Sequence, residues 1–180
     1  MASARRNIEL KARDPTPTQS IETCRALGAE TGGTIWQRDS YFDVPYGGLK
    51  FREENPGRPH LIQFERADEA QQRESRYRII EVEDPQTLLA ALTAALGLTV
   101  AVTKRRQLFL WKDVRIHLDS VEQLGTFIEL EAVAPPDSDL AQEHELIRHL
   151  RTAFAITDER LVAVGYAKQL KAAISEPRLT

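Results

Sequence analysis

The chain has 180 residues, enough for one domain with a sizeable core, and its hydrophobic share of 42% is ordinary for a globular protein. A formal net charge of −3 excludes a global electrostatic footprint for nucleic acid, so any anion site must come from local clusters. The single cysteine, Cys24, excludes an intrachain disulfide, no apolar run reaches the ~20 residues of a membrane span, and the opening MASARRN lacks the apolar segment of a secretory signal, so a cytoplasmic protein without a membrane partner is expected.

Residues 6–13, RNIELKAR, alternate cleanly. Asn7, Glu9, Lys11 and Arg13 share one face of a strand, and Ile8, Leu10 and Ala12 share the other. Asp14-Pro15 ends it, because proline lacks a donor and restricts the residue before it. A short helix starts at Thr18 or Ser20 and runs to Leu27, with Gly28 as its stop. Gly32-Gly33 opens a second strand over 34–43, whose Trp36, Tyr41 and Phe42 are assigned to the core. A turn at 45–48 returns the chain through 49–53, with Lys50 and Arg52 on one face and Leu49 and Phe51 on the other. Asn55-Pro56-Gly57 leads into a fourth strand, 61–66, whose facing the pattern does not give. The polar run 67–74 reads as a mobile loop. A fifth strand, 76–82, places Arg76 and Arg78 on one face.

Asp84-Pro85 then caps a helix over 86–96, closed by Gly97. The sixth strand, 98–111, carries Lys104 and Arg106 on one face and Arg105 and Gln107 on the other. A strand–turn–strand unit follows. Its first half sets Arg115, His117 and Asp119 against Val114, Ile116 and Leu118. After a turn at 122–125, Phe127, Glu129 and Glu131 oppose Ile128, Leu130 and Ala132. Pro135-Pro136 breaks the pattern. Asp137 or Ser138 caps a helix to about Phe154, with Leu140, Ile147, Leu150 and Phe154 as its buried stripe. A last helix covers 161–174 and a polar tail ends the chain, which reads as a single domain over 1–180.

Eight strands joined by short turns and interrupted by helices predict a largely antiparallel α+β fold, and a barrel would remove the sheet edges. If the helices cover the apolar faces, the charged faces point into that barrel. An interior of unlike charges is costly unless they are paired or bind something. A polyanion with divalent metal ions satisfies both signs. Periodicity alone leaves a second reading open, in which the charges form the solvated face of a two-layer sheet. The cations arrive as i, i+2 pairs on several strands and Glu129 and Glu131 can converge on one hard cation, which favours the ligand reading.

Other signals carry less. The segment HELIRH has the letters of a zinc-protease helix, but its histidines stand five apart and miss one helix face. Cys24 sits among apolar helical neighbours and reads as a core residue. His117 lies on the charged face and reads first as a hydrogen-bonded structural histidine, with phosphate contact as the alternative. Thr103 to Arg106 is a basic run without stacking aromatics on its face, a poor nucleic-acid site.

RNIELKAR resembles the opening strand of the CYTH superfamily, the triphosphate tunnel metalloenzymes that include class IV adenylyl cyclases and thiamine triphosphatases. SYFDVPYGGLKFRE, VTKRRQLFLW, VRIHLDSVEQLGTFIELE and Tyr166 fit the same family in the same order, so the resemblance covers roughly residues 5 to 170. It implies an eight-stranded antiparallel barrel forming a charged tunnel, with helices outside. It implies Glu9, Glu129 and Glu131 as ligands of Mg2+ or Mn2+, with Asp119 as a further ligand or a residue that orients an arginine. It implies Lys11, Lys50, Arg52, Lys104, Arg106 and Arg115 on the triphosphate, Lys11 and Arg115 among them as catalytic candidates, and Arg66, Arg76 and Arg78 as extra contacts. Two departures stand out. Asn7 occupies the place of the family's first glutamate, and Gly48 stands where relatives often carry a basic residue. The expected activity is hydrolysis of an organic or inorganic triphosphate, such as thiamine triphosphate, ATP or tripolyphosphate. The alternatives are cyclisation of ATP to cyclic AMP and a non-catalytic nucleotide- or polyphosphate-binding module. A homodimer is left open. Replacing Glu129 and Glu131 together is expected to abolish turnover and leave the fold intact.

Overall fold

A computed structural model describes residues 4–175. Its strands are β1 (Arg5–Arg13), β2 (Glu30–Phe42), β3 (Gly48–Asn55), β4 (His60–Arg66), β5 (Arg73–Glu81), β6 (Leu98–Trp111), β7 (Val114–Val121) and β8 (Gly125–Ala134). Its helices are α1 (Pro17–Ala26), α2 (Pro85–Leu96), α3 (Ala141–Ala153) and α4 (Tyr166–Ser175). The strands close into an antiparallel barrel in the order β1-β5-β4-β3-β2-β6-β7-β8. The expected α+β class and eight-stranded closed barrel are what the chain forms. Closure pairs each strand on both sides and removes every edge.

Alternation decides which side chains face in. On β1, Ile8, Leu10 and Ala12 point outward and are fully buried beneath α3, which packs on β1 and β8. Ile116 on β7 and Ile128 and Leu130 on β8 join them, and Ile147 and Leu150 supply the facing stripe of α3. Each such isoleucine or leucine contributes roughly 1.5–3 kcal/mol by leaving water. A second apolar cluster lies on the inward phase. Val100 and Val102 of β6, Val121 of β7 and Phe127 of β8 pack with Tyr166 and Leu170 of α4. Helix α4 therefore stoppers one end of the barrel, and the charged side chains begin beyond this plug.

Local chemistry accounts for most boundaries. Asp84 accepts from the Thr87 N–H at 3.1 Å and Pro85 takes the first helical position, as the sequence predicts for α2. Gly97 then leaves α2 at φ 75°, a conformation that suits glycine, and β6 starts at the next residue.

Four expectations are corrected. The run 67–74 is not all loop, because β5 begins at Arg73. Trp36 faces outward and is 43% exposed, while Tyr41 faces the lumen; of the three aromatics assigned to the core, only Phe42 is buried there. Helix α3 starts at Ala141, and the Ser138 hydroxyl accepts from the Leu140 N–H at 2.9 Å while donating to Glu143 at 2.7 Å. The helix expected over 161–174 is a single 3-10 turn at Asp158–Arg160 followed by α4. The intervening chain is drawn away by β1, where the Val162 N–H donates to the Lys11 carbonyl at 2.9 Å.

Candidate active site: a self-neutralising barrel lumen

The lumen encloses a cavity of about 240 Å³. Glu9, Lys11, Lys50, Arg52, Lys104, Arg106, Arg115, Glu129 and Glu131 all line it, supplied by five strands and brought together by barrel closure alone. Register fixes their neighbours: Glu9 lies opposite Glu131, Lys11 opposite Glu129, and Arg115 opposite Glu131.

The charges are organised as networks centred on carboxylates. Asp39, fully buried on β2, accepts from Arg52 Nε at 2.6 Å and Nη2 at 2.8 Å, from Lys50 at 3.0 Å and from Lys104 at 3.2 Å. Glu9 Oε1 accepts from Arg66 and from Arg73, both at 2.9 Å. Glu129 holds Lys11 at 2.5 Å and Arg106 at 2.8 Å. Glu131 holds Arg115 at 2.9 Å. Asp119 takes Arg106 through two bonds, 2.7 and 2.6 Å, and accepts from the Tyr166 hydroxyl at 2.9 Å. With both of its oxygens engaged, Asp119 fits the role of orienting Arg106 better than that of a metal ligand. The Lys11 ammonium lies 3.7 Å above the centroid of the Tyr166 ring, so the plug also positions a lumen cation.

Eight basic side chains meet five carboxylates in these networks, a formal excess of three. Some polar atoms are also left over. Arg115 Nε, Arg73 Nη2 and Asn7 Oδ1 are buried without a partner. A buried donor or acceptor left unpaired costs roughly 1–3 kcal/mol, which a bound ligand would recover. The two donors match anionic oxygen, and the asparagine oxygen matches a cation.

Electrostatics set the protonation states. Burial alone would raise the Asp39 carboxyl, but Arg52, then Lys104 and Lys50, hold it well below the usual carboxylate range. Burial likewise opposes ionisation of Asp119, and Arg106 overcomes it and brings the group to about 2. Burial is again opposed at Glu129 by Lys11, His117 and Arg106, and at Glu131 by Arg115, so both sit below their ordinary value. On the cationic side, burial and then the Arg52 charge push Lys50 down to about 7, against the pull of Asp39. Lys104 is lowered to about 8, by burial first, with Arg52 and Arg106 adding to it and Asp39 opposing. Burial and then Arg106 lower His117, which favours the neutral imidazole.

The further phosphate contacts divide. Arg66 lines the cavity, whereas Arg76 and Arg78 face outward and are exposed. The inward phase of β5 belongs to Arg73, Ser75 and Tyr77. At Gly48, a Cβ would stand 2.3 Å from the Phe64 ring, so an aromatic fills the place where a basic side chain was expected. Asp39 and Arg73 belong to the lumen and are not among the sequence candidates. Asp39 was readable as an acid in phase with Gln37 and Tyr41 on the second strand. Arg73 offered no signal, since it lay in a run read as loop.

The donor set fits a divalent cation. His117, Glu129 and Glu131 each present a ligand atom within 4.8 Å of the others, and Glu9 and Asn7 line the same cavity. The pieces assemble a lumen able to take a polyanion together with a metal ion.

Comparison with known proteins gives the same family. The profile of the CYTH domain matches residues 5–166. No curated protein matches the chain. Among solved structures, the PH1012 protein of Pyrococcus horikoshii OT3 superposes with a TM-score of 0.81 at 24% identity, covering 90% of this chain and 98% of that one. A candidate adenylate cyclase of Vibrio parahaemolyticus gives 0.76 at 18% identity, covering 92% and 97%. HpAC1 of Hippeastrum, a candidate adenylyl cyclase with a dominant triphosphatase activity, gives 0.62 at 16% identity, covering 97% and 98%. At these identities the likeness speaks for the fold.

Proposed function

The chain belongs to the CYTH domain family, and we propose that it is a metal-dependent enzyme that hydrolyses an organic triphosphate held in its barrel. One observation carries this reading: a buried lumen with three more basic side chains than carboxylates and with unpartnered arginine nitrogens. Such an interior is incomplete without an anion. Binding exchanges ion pairs. Lys50, Arg52 and Lys104 turn from Asp39 toward phosphate oxygens, and Lys11, Arg106 and Arg115 release Glu129 and Glu131. The freed carboxylates, with Glu9, are the ligands for Mg2+ or Mn2+, and a bound ion of this kind supplies Lewis-acid polarisation of the phosphoryl group. Lys11 and Arg115, each on a lumen carboxylate now, are the cations placed to stabilise charge developing at the reacting phosphate.

The organic part of the substrate has a surface of its own. Ile35, Ile62, Ile79 and Leu108 line the same cavity with Tyr77, an apolar stretch that inorganic tripolyphosphate would leave unused.

Release of phosphate and of cyclic nucleotide from ATP, thiamine triphosphate and tripolyphosphate, with Mg2+ or Mn2+, tests the proposal. The expected result is phosphate from an organic triphosphate, with Glu129→Gln slowing it by on the order of 100-fold. Cyclic AMP and pyrophosphate from ATP would instead make the protein a cyclase. Tight binding with no product would make it a binding module. No rise in melting temperature with any of the three would remove the anion site altogether.

A further inference from the structure

His117 meets the ion-pair networks only through long contacts, beside a Glu129 oxygen that Arg106 already holds at 2.8 Å. It is 5% exposed, it points into the lumen from β7, and its Nδ1 stands 3.5 Å from Glu129 Oε2 and 3.8 Å from Glu131 Oε1. Those separations are long for hydrogen bonds. They lie within the span of two donors on one cation, for bonds of about 2.0–2.2 Å each. Glu131 Oε1 makes no closer contact, because Arg115 uses the other oxygen of that carboxylate. A second observation comes from the same cavity. Asn7 is 2% exposed, lines the cavity two residues before Glu9, and leaves its Oδ1 with no partner. Its oxygen is neutral, so the charge a glutamate would have brought is missing.

We propose that His117 is a nitrogen ligand of the lumen metal, and that the site selects a first-row transition ion such as Mn2+ over Mg2+. The proposal rests on the function above and names the ion that site takes. The chemistry follows from the donors. Oxygen-only sites suit Mg2+, while imidazole raises affinity along the first transition row, least at Mn2+ and more at the later ions. Replacing a carboxylate by a neutral amide weakens the purely electrostatic attraction that Mg2+ depends on. Adding a nitrogen donor restores affinity only for ions that can use it. The two substitutions therefore act in one direction.

The experiment uses the full chain loaded with Mn2+, first alone and then with tripolyphosphate, read by pulsed electron paramagnetic resonance. Directly bound imidazole gives 14N modulation of the Mn2+ signal. Expected is that modulation in the unaltered protein, its loss in His117→Gln with Mn2+ still bound, and a fall in Mn2+ affinity on the order of tenfold or more with little change for Mg2+. His117→Asn serves as a second variant if the first fails to fold, and the spectrum of the unaltered protein needs neither. Bound Mn2+ without 14N modulation overturns the proposal. So does an equal loss of Mn2+ and Mg2+ affinity in the variant, or no Mn2+ binding in either condition. Failure of the triphosphate reading shows differently: Mn2+ would bind through nitrogen on its own, and tripolyphosphate would neither bind nor alter the spectrum.

Discussion

On one side of β1 stands β8, buried on both faces; on the other stands β5, buried on one. The β8 wall is backed by α3, and its outward Ile128 and Leu130 are fully covered. The β5 wall turns Arg76, Arg78 and Ile80 to solvent, Ile80 at 53% exposure. What holds the second wall lies inside the barrel. Glu9 reaches from β1 to Arg66 on β4 and Arg73 on β5, and Asp39 ties β2 to Lys50 and Arg52 on β3 and to Lys104 on β6. One half of the barrel is backed by hydrocarbon, and the other is laced from within by the groups that would hold substrate. On the first wall the hydrocarbon backing adds stability that ligand binding does not touch, whereas the second rests on the lumen groups alone.

The largest effect that can test this contrast is removal of Asp39. Asp39→Ala strands the buried Lys104 and the half-buried Lys50 and Arg52 and should cost about 3–5 kcal/mol in denaturant unfolding. Leu130→Ala on the other wall should cost about 2–5 kcal/mol by leaving a cavity. The two losses differ in their response to tripolyphosphate. It should restore much of the stability of Asp39→Ala, because it re-pairs the stranded cations, and should raise Leu130→Ala no more than the unaltered protein. Equal rescue of both variants would erase the distinction between the walls. The same logic revises one expectation from sequence. Glu129 and Glu131 are paired with Lys11, Arg106 and Arg115, so removing both carboxylates should destabilise the barrel and not merely silence it.

A smaller effect is expected from pH. Lys50 sits at about 7 and Lys104 at about 8 in the ligand-free barrel, against about 10.4 in an unfolded chain. Between those limits the unfolded chain binds more protons, so these two lysines make the ligand-free fold more stable as pH rises. A polyanion favours the protonated lysines. Binding at about pH 8 should therefore take up protons, and tripolyphosphate affinity should fall as pH rises through about 7 to 9. The lumen carboxylates, held low, stay ionised across that window and do not contribute. Calorimetry in buffers of different ionisation enthalpy measures the uptake. A flat profile would detach Lys50 and Lys104 from the ligand.

The same two walls explain what could be read from the sequence. On β1, β7 and β8 one phase is Ile, Leu and Ala and the other is charged, so a single register is compatible with burial. The sequence therefore yields the strands, their facing, and Glu9, Lys11, Arg115, Glu129 and Glu131 as inward groups. On β5, RESRYRIIE, both phases carry arginine and both carry isoleucine. Period two is present but does not say which phase is inside. The side that faces the lumen is decided by neighbours far away in sequence, Glu9 for Arg73 and Arg115 for Tyr77. Asp39 is different: Lys50 and Arg52 reach it across the short β2–β3 hairpin, and Lys104 of β6 is its one partner far away in sequence. Local pattern gives the facing where one phase is apolar, β3 included, and long-range pairing gives it on β5.

The smallest expected effect is the control on that last point. Arg76 and Arg78 look from sequence like the lumen pairs on β3 and β6, yet Arg76 pairs with Glu74 and Arg78 donates to Gln63 at 2.8 Å, all on the outer surface. Charges there are solvated and screened by salt. Arg76→Ala with Arg78→Ala should leave tripolyphosphate affinity within about twofold at physiological ionic strength, while Arg66→Ala, one strand away and inside, should weaken it by about tenfold or more. Titration calorimetry of the two variants side by side reads the difference. A tenfold loss in the outer pair would mean that the ligand reaches the solvent face of β5, and the division between a lumen that binds and a surface that does not would have to be redrawn.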